Sequence, residues 1–300
     1  IVGGLGLALL IAFVVWEARS DHPMLDVTFF KKARFTAAAG AITLVFFSMF
    51  GSLFLLTQYF QFVLGYSPLE TGVRMLPFAA AMMVVAPLSS RIVDRIGSKI
   101  TVAAGLGLVT IGLLTMTGLQ VDTPYSNIFW RLMLMSAGMG LTMAPATESV
   151  MGSLPLFKAG VGSAVNDTTR QVGGALGVAV IGSVLATTYG NQIRDFLLGL
   201  GLPLPQAVVD AAHNSIGAVQ NGIVPQLDGM GMSDLAARVS AEADSAFVGA
   251  VHWGVLTAAL ATAIGVLVVL LFLPARPRVD DVEEQEMEFV GERVTDLLHD

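Results

Sequence analysis

The stretch S-R-I-V-D-R-I-G-S-K at residues 90–99 stands between two long apolar runs, residues 73–90 and 100–118. Each flanking run approaches the roughly 20 residues that an α-helix needs to cross the hydrocarbon core of a bilayer. The stretch itself places one acid, three bases and a glycine within a few residues. This pattern predicts two membrane helices joined by a tight, charged turn.

Further apolar runs extend the same pattern on both sides of this pair, at residues 1–16, 37–57, 129–152, 162–187 and 247–273. Hydrophobic residues make up 54% of the chain and charged residues 13%, whereas a soluble domain has about 25% charged residues. The mean hydropathy is +0.73. Runs of this length indicate helices rather than the short alternating strands of a membrane barrel. The predicted fold class is therefore an all-α integral membrane protein.

Basic residues are distributed unevenly among the connections between these runs. Twelve Lys or Arg residues fall in alternate connections, and two fall in the others. The richer set is Arg19, Lys31, Lys32, Arg34, Arg91, Arg95, Lys99, Lys158, Arg170, Arg276, Arg278 and Arg293, and the poorer set is Arg194 and Arg238. Because cytoplasmic loops carry the excess of Lys and Arg, this asymmetry predicts a cytoplasmic C-terminus and an extracytoplasmic segment at residues 188–246.

Several functional classes are excluded by composition. The chain has no cysteine, so thiol catalysis and thiolate metal sites are absent. Its four histidines, His22, His213, His252 and His299, have no metal-ligand spacing. With no nucleophile–base pair and no phosphate-binding loop visible, we expect no enzyme activity, no catalytic residue, no cofactor or metal, and no nucleic-acid partner.

Residues 90–99 resemble the signature found between the second and third helices of each six-helix bundle in transporters of the major facilitator superfamily, roughly G-x-x-x-D-R-x-G-R-R. Ser90 and Ser98 depart from it, in place of a glycine and a base. The matching residues are Asp94, Arg95, Gly97 and Lys99. Counted from Ala37, this stretch lies between the second and third of six helices, as the resemblance requires.

Two other stretches are similar to one branch of that superfamily, the fourteen-helix drug:proton antiporters (EmrB/QacA-type). Residues 58–72, QYFQFVLGYSPLETG, resemble the branch's outer turn, and residues 166–179, NDTTRQVGGALGVA, resemble its penultimate helix. The approach from Trp16 to Phe35 also matches. The resemblance covers residues 14–190 or so, and it is specific to the branch rather than to a substrate.

The resemblance implies a domain organisation in which this chain is the C-terminal half of a transporter. Residues 1–16 correspond to a truncated linker helix, 17–36 to a cytoplasmic loop, 37–273 to the C-terminal six-helix bundle, and 274–300 to an acidic cytoplasmic tail. Because Ile1 lies inside an apolar run, we expect further sequence to precede it. Expected partners are membrane lipids, a small-molecule substrate, protons and the N-terminal half of the same transporter, in the cell (plasma) membrane.

The charged turn is the first candidate functional element. Asp94, near the start of the following helix, suits the positive end of the helix dipole and can pair with an arginine of a neighbouring helix. Together with Arg95, Gly97 and Lys99 it can form a latch that holds one conformation of an alternating-access transporter. Anchoring of the cytoplasmic side by positive charge is the equally weighted alternative.

Glu148 and Arg170 are the candidate proton or substrate-cavity residues. Glu148 is expected about one turn from the cytoplasmic end of its helix, and Arg170 at the opening of the next. Ionisable residues at membrane depth are costly and usually functional. A structural ion pair, or a glutamate reaching toward the interface, is the alternative and is weighted above proton coupling. Asp167 is expected to cap its helix.

Gly173, Gly174 and Gly177 form a small-residue face on the penultimate apolar run. In lipid such faces allow two helices to pack closely, and we expect a packing role.

The function predicted from these features is export of lipophilic or cationic drugs and other small molecules by proton antiport. Export of one specific endogenous metabolite, lipid or antibiotic is the alternative within transport. A membrane sensor or scaffold that does not transport is the alternative from another class.

Overall fold

The computed structural model describes residues 2–17, 19, 27–154, 158–201 and 205–274, and these ranges contain helices and no strand. The α-helices are α1 (Val2–Glu17), α2 (Ala33–Gln58), α3 (Pro68–Ile96), α4 (Ser98–Met116), α5 (Tyr125–Met151), α6 (Ala159–Gly199), α7 (Gln206–Asn214), α8 (Ile216–Ala218), α9 (Val224–Gly229) and α10 (Ser233–Phe272). A 3₁₀ turn, Val27–Lys31, precedes α2, and the π turns Tyr59–Val63 and Val219–Ile223 follow α2 and α8. The prediction of an all-helical membrane fold is confirmed.

Helices of membrane-spanning length form the main body. Five of them, α2 with its π turn, α3, α4, α6 and α10, are long and apolar enough to cross a membrane. The 27 residues of α5 rise about 40 Å at 1.5 Å per residue, and α5 packs against α3 and α4. The predicted apolar runs 37–57, 73–90 and 162–187 lie within long helices, and the runs 100–118, 129–152 and 247–273 extend one or two residues past a helix end. Since consecutive helices run in opposite directions, the bundle has two ends: a tail end, where α10 finishes, and a cap end.

The six helices pack as pairs that share a common core. α2 packs against α6, α4 against α5, and α10 lies across α4, α2 and α6. Close approach of α4 and α5 depends on Gly105 and Gly138, because a Cβ on either glycine would overlap with backbone of the other helix. In contrast, α3 packs mainly on α5, and only 11% of its apolar stretch is buried. The bundle therefore leaves one long apolar helix largely uncovered.

The cap, defined as residues 188–246, projects beyond the bundle. α6 has 41 residues and α10 has 40, so each rises about 60 Å, twice the ~30 Å thickness of a bilayer core. Their extended ends pack together with α7, α8 and α9 around buried apolar side chains that include Ile193, Leu197, Ala236, Val239 and Ala243. Three short helices, α7, α8 and α9, lie within this segment. Its two ends, however, are continuous with α6 and α10 rather than separate.

The cap also contacts the bundle through the end of α2. A Cβ added to Gly217 in α8 would lie 3.0 Å from the ring of Phe62, which belongs to the π turn that extends α2. The cap is thus seated against the end of a bundle helix.

Two predicted segments fall partly or wholly outside the described residues. Residues 275–300 of the tail are not described, nor are residues 18 and 20–26 of the loop predicted at 17–36. The predictions for the tail and for that part of the loop stay predictions.

Candidate functional site

Arg170 lies well inside α6 rather than at its opening. α6 begins at Ala159, so Arg170 stands eleven residues further along, about 16 Å into the helix. The expectation that Arg170 lies at the opening of its helix is therefore wrong. For the same reason Asp167 does not cap the helix: it is an exposed residue within α6. The arginine consequently lies within the apolar part of α6, inside the run 162–187.

Two neighbouring helices contact the guanidinium of Arg170. Its Nη2 donates to the Thr147 hydroxyl of α5 at 3.1 Å, and that hydroxyl in turn donates to Oδ1 of Asn166 at 3.3 Å. The cation also lies 5.5 Å from the ring centroid of Phe46 on α2. Its Nε is buried and has no hydrogen-bond partner in the described part of the chain. The result is a fixed positive charge with an unused donor.

Glu148 is not paired with this cation. Its side chain is exposed on α5, and no ion pair joins it to Arg170 or to another residue within the described ranges. The helix ends three residues later at Met151, which agrees with the expected position about one turn from the end. Arg170 therefore bonds to Thr147, and the carboxylate of the next residue, Glu148, remains available to solvent or to a partner.

The glycine face of α6 brings this helix into close contact with α2. A Cβ on Gly173 would overlap with the carbonyl oxygen of Thr43, and one on Gly177 would overlap with the carbonyl oxygen of Phe47. Gly174 meets a side chain instead, since its Cβ would lie 2.9 Å from the Phe50 ring. Absence of these Cβ atoms allows α6 to approach α2 closely along the stretch just beyond Arg170.

The turn between α3 and α4 consists of a single residue, Gly97. Gly97 has φ 84°, a backbone conformation that L-residues with a Cβ rarely adopt. Its N–H donates to Val93 and closes α3, while its carbonyl accepts from the Thr101 hydroxyl at 2.8 Å and anchors the first turn of α4. One glycine thus ends one helix and begins the next.

Asp94 does not lie at the start of the following helix, contrary to the sequence expectation. Asp94 and Arg95 belong to the last turn of α3, where both are exposed, and Lys99 is the second residue of α4. A carboxylate at a helix C-terminus meets the negative end of the dipole, whereas an arginine there is favourable. Asp94 forms no ion pair with the described residues, so this structure shows no latch at the turn.

Three residues of the site were not singled out from the sequence: Thr147, Asn166 and Phe46. Thr147 and Asn166 were within reach of sequence reasoning, because one precedes Glu148 and the other stands four residues before Arg170 on the same helical face. Phe46 carries no such signal, since it is one apolar residue among many on α2.

Comparison with known proteins gives a consistent picture. The sequence profile of the Major Facilitator Superfamily matches residues 1–178. Over 223 residues the chain is 38% identical to the multidrug resistance protein Stp of Mycobacterium tuberculosis, covering 72% of this chain and 41% of that protein. It is 30% identical over 212 residues to the tetracenomycin C resistance and export protein of Streptomyces glaucescens, covering 69% of this chain and 39% of that protein. The chain spans about two fifths of the length of these relatives.

A solved structure shares the fold. The crystal structure of a bacterial homologue of the human lysosomal transporter Spinster, in an inward-facing and unoccupied conformation, superposes with a TM-score of 0.63. The superposition covers 90% of this chain and 58% of that chain at 14% sequence identity. At that identity the likeness supports the fold alone.

Proposed function

The chain belongs to the major facilitator superfamily, and from this membership we propose that it is the C-terminal half of a proton-coupled exporter of lipophilic or cationic small molecules. It is a multi-pass membrane protein of a transporter family rather than an enzyme. The observation that carries the proposal is the similarity to proteins named for multidrug resistance and for export of an antibiotic.

The uncovered face of α3 supports the assignment as one half of a larger transporter. Its exposed side chains include Leu69, Val73, Leu76, Met83 and Leu88. A second bundle packed on this face and on the exposed side of α6 would cover apolar surface and enclose a cavity between the halves. The fourteen-helix arrangement, with α1 as a linker helix, is part of this proposal.

Proton coupling is assigned to Glu148, with Arg170 as the fixed charge beside it. Glu148 is exposed and forms no ion pair with the residues that the structure describes, so we propose that it takes up and releases a proton at the cavity. The bond from Arg170 to Thr147 keeps a positive charge next to the helix that carries the carboxylate. When the two bundles rock, a changed distance between carboxylate and guanidinium changes the proton affinity of Glu148. That change is what links proton movement to substrate movement.

The turn at Gly97 is assigned a role in rocking. Its residues Asp94, Arg95 and Lys99 stand at the tail end of the bundle, on helix ends that meet at one glycine. We infer that Asp94 pairs with a base of the other half in one conformation and is released in the next. Asp94→Asn should therefore leave the amount of protein in the membrane unchanged and lower efflux. A parallel loss of protein and efflux would favour simple anchoring.

The second candidate function is export of a single antibiotic or other endogenous compound. One relative named for resistance to and export of tetracenomycin C favours it. Both forms share the mechanism and differ in the range of compounds moved. A sensor or scaffold that moves nothing is the alternative that the efflux experiment excludes.

The orientation proposed is a cytoplasmic tail end and an extracytoplasmic cap, in the plasma membrane. It is supported by the excess of basic residues in the connections at the tail end.

Proton-driven uptake of unrelated lipophilic cationic dyes into inverted membrane vesicles, which corresponds to efflux from the cell, tests the proposal. We expect transport when this chain is co-expressed with its upstream half, little with the chain alone, and none with neither. Glu148→Gln should abolish the response to a proton gradient, while the matched carboxylate change Asp228→Asn, exposed in the cap, should not. Full efflux by Glu148→Gln would remove the proton assignment. Full efflux by the chain alone, without a crosslinkable homodimer, would contradict the half-transporter assignment.

A further inference from the structure

A polar cluster lies within the otherwise apolar core of the cap. Gln220, in the π turn that follows α8, donates from Nε2 to Oδ1 of Asp244 at 2.8 Å. Ser240 donates its hydroxyl to Oε1 of the same glutamine at 2.9 Å. The Tyr189 hydroxyl of α6 is buried without a hydrogen-bond partner among the described residues. It lies within electrostatic range of the Asp244 carboxylate. Three separate elements thus meet at one carboxyl group.

The carboxyl group of Asp244 has no cation to balance it. The side chain is half-buried, and within the described ranges it forms no ion pair. The one hydrogen bond that reaches it comes from a neutral amide. Taking a charged carboxylate out of water with one neutral donor costs free energy, and binding a proton removes that cost.

Asp244 lies outside the membrane-spanning part of α10. The last twenty residues of that helix, from Trp253 to Phe272, rise about 30 Å and suffice to cross the hydrocarbon core. Trp253 is 61% exposed, as is common for the aromatic residues that mark a membrane interface. Asp244 stands nine residues before it, about 13 Å further into the cap.

The titratable groups around this cluster are few. From α6, the Tyr189 hydroxyl lies within electrostatic range of the carboxylate, and the π turn contributes the neutral Gln220. On α7, His213 packs against Gly190 of α6. On α10 itself, Glu242 accepts a hydrogen bond from Gln192 at 3.3 Å, and Arg238 is exposed.

We propose that Asp244 is a proton-binding site, and that its proton holds the cap closed against the end of α2. With the proton bound, α10, the π turn and α6 pack around a neutral group. Without it, the charged carboxylate draws water into the cluster and the π turn separates from α10. Because α8, just before that turn, contacts Phe62, the separation loosens the cap from the bundle. This proposal rests on the proposed function in one respect: the proposed orientation places the cap on the side of the membrane from which a proton antiporter takes up protons.

The direction of the pH dependence follows from the environment of the carboxyl group. Burial raises the pKa of Asp244 from 3.8 to about 6, although the Gln220 bond acts to lower it. Because the pKa is raised in the closed cap, the stabilisation is fully present below pH 3.8 and is lost as the pH rises through about 6. The cap is therefore tighter on the acidic side of this window.

Labelling of single cysteines tests the proposal directly, because the chain contains no cysteine of its own. Val219→Cys places a thiol at a fully buried position beside Gln220, and Ser215→Cys places one at an exposed position nearby. The chain, with its upstream half, is reconstituted in lipid nanodiscs and labelled with a maleimide between pH 4.5 and 8. The ratio of the two labelling rates reports cap opening, since the ordinary pH dependence of thiol reactivity is common to both.

We expect this ratio to rise about tenfold between pH 5 and 7.5, because only part of the effect of the pKa shift from 3.8 to about 6 falls within this window. Asp244→Asn, an uncharged group of the same shape, should keep the ratio low at every pH. Asp195→Asn, a change at an exposed carboxylate of the cap, should leave the profile unchanged. A flat profile in the parent chain, the same rise in Asp244→Asn, or loss of the rise in Asp195→Asn would overturn the proposal.

A second variant covers the case in which Asp244→Asn does not fold. Gln220→Met removes the donor that favours the charged carboxylate, so the midpoint of the labelling profile should move to higher pH. An unchanged midpoint would overturn the proposal. None of these measurements depends on transport, so their failure is distinguishable from a failure of the efflux experiment. Labelling of intact cells with an impermeant maleimide tests sidedness separately.

Discussion

Replacing Gly177 with alanine should loosen the contact between α6 and α2. The new Cβ would lie 2.7 Å from the carbonyl carbon of Phe47 and 2.8 Å from its Cα, whereas non-bonded carbon atoms prefer about 3.5–4.0 Å. The obstacle is backbone, so no rotamer change relieves it. α6 must therefore move away from α2 by about 1 Å over this stretch.

Two opposing free-energy changes set the size of the effect. Overpacking of a well-packed contact costs about 1–3 kcal/mol, while alanine is favoured over glycine in a helix by about 1 kcal/mol. Because the Cβ would meet backbone, the upper part of the overpacking range, about 2–3 kcal/mol, applies, and the net destabilisation expected is about 1–2 kcal/mol. Gly174→Ala should cost less, because its Cβ meets the Phe50 side chain, which can rotate.

The measurement is thermal stability of a fluorescent-protein fusion in detergent, followed by the monodisperse fraction after heating. A change of about 1–2 kcal/mol corresponds to a fall in Tm of about 2–8 °C for a chain of this size. Gly40→Ala is the matched control, since a Cβ at Gly40 on α2 would meet no atom within 4 Å, and it should be neutral or stabilising. If Gly177→Ala and Gly40→Ala behave alike, backbone contact at the glycine face does not hold these helices together.

Three further changes test other parts of the structure. Thr147→Val should remove the acceptor of a part-buried guanidinium donor and lower stability by about 1–3 kcal/mol, measured by the same thermal assay. The control Thr57→Val also removes a hydroxyl, but that hydroxyl bonds only to the carbonyl four residues back, so this change should cost less. Equal costs for the two variants would contradict the role assigned to Thr147. Gly97→Ala should cost about 1–2 kcal/mol, because alanine is strained at φ 84°, and a neutral result would show that the turn can change conformation freely. Cysteines at Ser67 and Ser215 should react with an impermeant reagent from outside the cell and one at Ser98 should not; the reverse pattern would invert the proposed orientation.

Helix positions were predictable from apolar runs, but the position of Arg170 within α6 was not. Hydropathy identifies residues that face lipid, and the first turns of α6 contain Gly160, Gly162, Asn166 and Asp167, which resemble a loop in composition. In the structure Gly162 and Asn166 are buried within the bundle. A segment that packs against protein needs small and polar residues rather than uniform apolarity, and this is why the depth of the arginine was misjudged.

The extensions of α6 and α10 into the cap were missed for a related reason. Apolar composition falls where a helix leaves the membrane, although the helix itself continues. The continuation had a signal: Ala236, Val239 and Ala243 recur at a spacing of three and four residues, which is typical of a buried helical stripe. All three are buried against the cap core.

For the candidate site, the sequence predicts which ionisable residues are present but not which residues they bond to. The cation at membrane depth and the nearby carboxylate could be found from the sequence. Which hydroxyl bonds Arg170 depends on how far α5 slides along α6, and that register follows from packing rather than from local pattern. The prediction that Asp94 lies at the start of α4 was wrong for a similar reason. The length of α3 determines whether Asp94 ends one helix or begins the next, and that length does not follow from local pattern.

Because α6 and α10 are long, a small tilt of either helix in the membrane produces a large displacement of its end in the cap. Neither contains an internal proline, unlike α3 and α5, so each crosses from the tail end into the cap without the usual cause of a kink. A tilt of about 10° in the membrane displaces the far end of a ~30 Å projection by about 5 Å. Rocking of the bundle therefore produces its largest displacement in the cap. The distance between one spin label on the cap and another on α3 can follow this movement.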